Sequence, residues 1–65
     1  MVDYSPLWKT MEKKGISQYY LIKYGGIDTK TISNIKNNKN ITLLTLEKLC
    51  IALDCTPDEV ISFHP

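Results

Sequence analysis

An all-α domain of five short helices is the fold this sequence predicts. Apolar residues recur at three- and four-residue spacing, and the breaks between these runs fall at residues that start or stop helices. No stretch of useful length alternates apolar with polar side chains, no period repeats, and no linker-like segment divides the chain, so a β-rich or multidomain reading has little support.

The elements follow in order. Ser5-Pro6 reads as an N-cap with proline at the first helical position, and Leu7, Trp8 and Met11 keep helical spacing until Gly15. Ser17 is placed to cap a second helix, Gln18 to Tyr24, with Leu21 and Ile22 inward and Gly25-Gly26 as its stop. Asp28 caps a third, Thr29 to Lys36 or Asn37, whose narrow apolar stripe is Ile32 and Ile35. The polar run Asn37-Asn38-Lys39-Asn40 ends it, since asparagine tolerates the left-handed conformation that closes helices. Thr42 caps a fourth helix with Leu43, Leu46, Leu49, Cys50 and Leu53 on one face. Thr56-Pro57-Asp58-Glu59 carries a capping-box spacing and begins a fifth helix of a turn or two through Val60 and Ile61.

At 65 residues the chain supports one domain, 1–65, with a thin core. Apolar residues at 43% and charged residues at 23% exclude disorder by composition. No apolar run approaches the roughly 18 residues of a membrane span, and the start MVDYSPLWKT lacks the features of a secretion signal. A cytoplasmic protein with no membrane partner is expected. Cys50 and Cys55 have neither CxxC nor zinc-site spacing and are expected as reduced core thiols, with no metal and no cofactor. An enzyme is not expected, because His64 has no placed nucleophile or carboxylate and no glycine loop could cradle a phosphate.

Charge is unevenly distributed behind a net value of +1. Residues 17–40 hold Lys23, Lys30, Lys36 and Lys39 against Asp28, whereas residues 43–65 hold Lys48 against Glu47, Asp54, Asp58 and Glu59. A basic middle and an acidic tail suit one face that meets a polyanion while another stays solvated.

The most informative stretch joins the second and third helices across Gly25-Gly26-Ile27-Asp28. A helix-turn-helix needs a first helix ending sharply, a short turn with a buried apolar side chain, and a second helix free to protrude. Counting from Gln18, the buried positions fall on Leu21, Ile22, Gly25, Ile27, Ile32 and Ile35, all apolar or small, with polar residues between.

Through Ser17-Gln18, Leu21, Ile22, Gly26, Ile27, Asp28 and Ile32, and through the separate block Thr45 to Val60, the chain resembles the Cro/C1-type (lambda-repressor-like, XRE) helix-turn-helix domains. The resemblance covers nearly the whole chain. It departs at Ile22, where the family usually has a small residue, and at Lys36 and Asn38, where glutamate and a nearby glycine are common. Lys36 suits the negative end of its helix.

The resemblance implies double-stranded DNA as partner, with the third helix entering the major groove and the second crossing the backbone. Ser17 and Gln18 would then meet a phosphate, Gln18 also bracing the third helix. Thr29, Lys30, Ser33 and Asn34 would read base edges, while Asn37 and Lys39 would hold phosphates, with Lys36 ranked below them. Tyr19, Tyr20 and Tyr24 are expected at the core's edge rather than stacking on bases, with Tyr19 the one best placed to reach a phosphate. The chain has no arginine. Asn34 remains to pair with adenine and the Thr29 methyl to touch thymine, so an A·T-rich half-site is expected.

A module this small buries little surface on DNA, which favours a homodimer on a pseudo-palindromic operator. Val60, Ile61 and Phe63 either supply that interface or cap the monomer's own core. The function expected is a transcriptional regulator, with a repressor favoured. Its rival is an antitoxin-like or other protein-interaction module that keeps the fold.

Overall fold

Among the described residues, four α-helices, α1 (Ser5–Lys14), α2 (Gln18–Tyr24), α3 (Thr29–Lys36) and α4 (Leu43–Leu53), are followed by a single 3-10 turn, Pro57–Glu59. Strands β1 (Val2–Asp3) and β2 (Ser62–Phe63) pair antiparallel, Val2 opposite Phe63 and Asp3 opposite Ser62. The computed structural model describes residues 1–64.

The helices begin where side-chain oxygens relieve unpaired amides. Ser17 accepts from the Tyr20 amide at 3.1 Å, Asp28 from Thr31 at 2.7 Å and Thr42 from Thr45 at 3.1 Å. α1 differs from expectation by one step. Its cap is Tyr4, and Ser5 is already helical. Asp3 accepts the Ser5 amide at 2.8 Å and the Ser5 hydroxyl at 2.6 Å, so a carboxylate two residues upstream does the work assigned to Ser5.

The turn between α2 and α3 is closed by the Leu21 carbonyl, which receives the amides of Gly25 at 2.9 Å and Ile27 at 3.3 Å. A side chain on Gly25 would place its Cβ 2.7 Å from that carbonyl and 3.2 Å from Ala52, so α2 ends hard against α4. Gly26 then takes φ +71°, a conformation that suits glycine. These two residues aim Ile27 inward, 3% exposed.

The core gathers Tyr4, Leu7 and Met11, Leu21, Ile27, Ile32 and Ile35, Leu49 and Leu53, and Val60. Ile22 and Gly25, expected inside, are only half-buried. Leu43 shares the spacing of Leu46 and Leu49 but is 84% exposed, because it lies on the first turn of α4, where the core has ended. Cys50 and Cys55 are free thiols at the core's edge, and burial pushes the Cys55 thiol up to about 11.

The fifth helix is reduced to a single 3-10 turn, Pro57–Glu59, so the α-helices number four among the described residues. The Glu59 carboxylate does accept the Thr56 amide, at 3.4 Å, but the chain leaves the 3-10 turn after one turn and enters β2. Two contacts pull it away from helical continuation: the Thr10 hydroxyl donates to the Glu59 carbonyl at 2.6 Å, and the Leu7 amide to the Val60 carbonyl at 3.1 Å. Val60 thereby enters the core, Ile61 packs at its edge, and Phe63 stays 75% exposed. The small sheet was not anticipated, since two-residue strands carry no readable alternation. Beside it His64 meets Asp3 at 2.9 Å, and the amino group of Met1 meets the His64 carbonyl at 2.5 Å.

Candidate nucleic-acid interface

α3 is held by Ile32 and Ile35, and helical periodicity fixes what the opposite side shows. Lys30 and Asn37 fall furthest from that buried pair, with Ser33 and Asn34 on either side and Thr29 and Lys36 nearer α2. Thr29, Lys30, Ser33, Lys36 and Asn37 are exposed and Asn34 is half-buried. A groove of about 380 Å³ separates α2 from α3, lined by Gln18 and Ile22 on one wall and Thr29, Ile32, Ser33, Lys36 and Asn37 on the other. Ile22 is half-buried, lining this groove while it packs against the core.

The two asparagines of this surface differ. Asn37 donates its side-chain amide to the Ser33 carbonyl at 2.9 Å, which closes the end of α3. Among the described residues the Asn34 side chain makes no hydrogen bond, so its amide keeps both donor and acceptor for an incoming group. The Asn34 backbone carbonyl is occupied, by the Lys39 amide at 2.8 Å.

Of the nine residues singled out from the sequence, Gln18, Thr29, Ser33 and Asn37 come together in the groove. Lys30 and Asn34 lie on the outer side of α3, and Ser17 sits exposed at the start of α2 with its hydroxyl oxygen engaged as cap. Lys39 projects from the exposed loop after α3. Tyr19 is 65% exposed, Tyr20 41% and Tyr24 66%, so these rings stand outside the core's edge where they were expected. Lys23 lies over two of them, 5.7 Å from the Tyr19 ring centre and 5.4 Å from that of Tyr24, an arrangement in which the ring faces attract the ammonium.

Two residues were undervalued from sequence. Lys36, ranked low, lines the groove. Tyr4 received no role, yet its buried ring carries a hydroxyl that donates to the Lys39 carbonyl at 2.5 Å. An aromatic residue just before a proline-started helix is a visible signal, but its partner lies thirty-five residues away. No local spacing encodes that distance. No helix among the described residues is long and apolar enough to cross a membrane.

The arrangement is a polar helix face raised above a groove, with cations at its rim. A family model described as the Cro/C1-type HTH DNA-binding domain matches residues 6–65. Among solved structures, a crystal structure of the transcriptional regulator VanUg matches with a TM-score of 0.90 at 26% identity, covering 98% of this chain and 85% of that one. No curated protein matches the chain.

Proposed function

From the premise that the chain belongs to the Cro/C1-type helix-turn-helix DNA-binding family, we propose that it is a sequence-specific regulator of transcription, a repressor, that reads the major groove with α3. The observation that carries this reading is the polar face of α3, where Lys30 and Asn34 on the outer side and Thr29 and Ser33 along the groove offer hydrogen-bonding groups around an uncommitted Asn34 amide. Groups of this kind exchange water for base edges at a modest net gain, whereas an apolar surface finds a partner there only in thymine methyls.

In this reading Asn34 takes adenine in a bidentate pair, Lys30 reaches a guanine or a phosphate, and Ser33 and Thr29 make the shorter contacts. Ser17, Gln18 and Tyr19 meet the backbone from α2, and Asn37 and Lys39 hold it beyond α3. Lacking arginine, the surface favours A·T-rich half-sites. The protein acts in the cytoplasm as one domain, 1–65, and binds as a homodimer on a pseudo-palindrome. With Val60 committed to the core, Phe63 and the edge of Ile61 remain for pairing.

A protein-interaction role is the second reading, and the exposed apolar residues of α4 favour it: Leu43, Leu44 and Ile51 are 84%, 59% and 73% exposed, around an exposed Glu47. Gel shifts at several salt concentrations, using DNA upstream of the protein's own gene against scrambled competitor, separate the two. Regulation predicts a salt-sensitive shift tighter on the upstream DNA. Absence of any shift on either DNA would leave the interaction module as the function.

A further inference from the structure

The loop that follows α3 is fixed from two directions at one residue. Lys39 donates its amide to the Asn34 carbonyl of α3 at 2.8 Å, and its carbonyl accepts from the Tyr4 hydroxyl at 2.5 Å. The preceding residue, Asn38, takes φ +57° and donates its amide to the Ile35 carbonyl at 3.0 Å, so α3 holds the start of the loop while the Tyr4 hydroxyl ties Lys39 from the side of α1. Tyr4 itself is anchored. It caps α1, its ring is 2% exposed, and Asp3 before it is paired to Ser62 in the small sheet. Burial raises the Tyr4 phenol above its ordinary value, so it remains a protonated donor across the working pH range.

We propose that Tyr4 is a positioning residue for DNA binding: its hydroxyl holds the Lys39 carbonyl and thereby presents the Lys39 ammonium to a backbone phosphate. The inference rests on reading the loop as a phosphate contact. Tyr4 touches no DNA; it reduces the conformations the loop must give up on binding, which is preorganisation. A lysine is a point charge on a flexible stem, and anchoring the backbone at its base narrows the region that the charge samples.

Tyr4→Phe keeps the ring and removes only the donor. It is expected to weaken binding to operator and scrambled DNA by the same factor, roughly two- to tenfold, the scale of one hydrogen bond. The slope of log affinity against log salt is expected to fall by up to about one. Both are corrected for the folded fraction measured by thermal unfolding, so a less stable variant still reports. The deciding measurement is a double-mutant cycle. In a Lys39→Ala background Tyr4→Phe should add no further loss, since the charge it positions is gone. Equal losses in both backgrounds, or an unchanged salt slope in Tyr4→Phe, would assign Tyr4 to the core alone and overturn the inference. If Lys39→Ala by itself changes neither affinity nor slope, the phosphate reading of the loop fails and takes the inference with it, a result distinct from failure of Tyr4→Phe alone.

Discussion

α3 and α4 begin alike, yet α3 meets water with polar residues and α4 with three large apolar residues among charged ones. Each starts at an oxygen that accepts an amide from the first turn, Asp28 from Thr31 and Thr42 from Thr45, and each buries two aliphatic residues, Ile32 and Ile35 in one, Leu49 and Leu53 in the other. Among its exposed residues α3 shows Thr29, Lys30 and Ser33, whereas α4 shows Leu43, Leu44 and Ile51 beside Glu47 and Lys48. The inner stripe secures a helix in the fold; the outer side tells what the helix meets. Polar groups on α3 gain only when a hydrogen-bonding partner displaces water, and leucines on α4 gain only when water leaves.

The largest expected effect tests whether the inner stripes are what hold the molecule. Leu49→Ala removes a side chain with 0% exposure, and the lost burial plus the cavity should cost about 2–5 kcal/mol. Leu43→Ala, on the same helix, should stay within about 0.5 kcal/mol. Urea unfolding of both variants decides the matter. A large loss from Leu43→Ala would mean that the exposed side of α4 is covered in solution, and the contrast with α3 would have to be redrawn around that cover.

Next in size is Asn34→Ala, which probes the outer side of α3. Discrimination at one base pair should relax by about 1–3 kcal/mol while the midpoint of thermal unfolding barely moves. Equal losses on operator and scrambled DNA would remove Asn34 from the readers and leave Lys30 and Ser33 to carry specificity. A smaller effect follows at the rim: Lys36→Ala and Lys39→Ala should each weaken operator and scrambled DNA alike and lower the salt slope by about one. A lysine that leaves the slope unchanged does not touch the backbone.

How far such contrasts could be read from the sequence depends on the range of the interaction. The caps at Ser17, Asp28 and Thr42 were legible because each closes over three residues, and Ile27, Ile32 and Ile35 were legible because helix and turn fix their spacing. Leu43 was misplaced because periodicity says which side of a helix faces inward but not where the core stops. The fifth helix was cut to one turn by contacts from Thr10 and Leu7, some fifty residues away in the chain. The bond from Tyr4 to Lys39 was invisible for the same reason. On the candidate interface, positions were legible and availability was not: Asn34 and Asn37 look equivalent as letters, and the fold commits one amide to Ser33.

The smallest expected effect separates the two helices at their first residues, where Asp28 can titrate and Thr42 cannot. Hydrogen bonding by Thr31, through its side chain and its backbone amide, holds the Asp28 carboxyl below the ordinary carboxylate range. A carboxyl with a lower folded than unfolded value contributes stability at every pH above its unfolded value of about 3.9, and the contribution is lost as pH falls through the folded value. Asparagine accepts the same amide without titrating. Wild type and Asp28→Asn should therefore run parallel in urea midpoint from about pH 7 to about pH 5, offset only by the charge at the positive end of α3, and converge below about pH 4 as the wild type alone loses its cap charge. The acid sensitivity of Asp3 is common to both curves and cancels in the difference. Curves that stay parallel down to about pH 2 would show that the cap works through its shape alone, making Asp28 the equivalent of Thr42 and leaving the outer faces as the one distinction between α3 and α4.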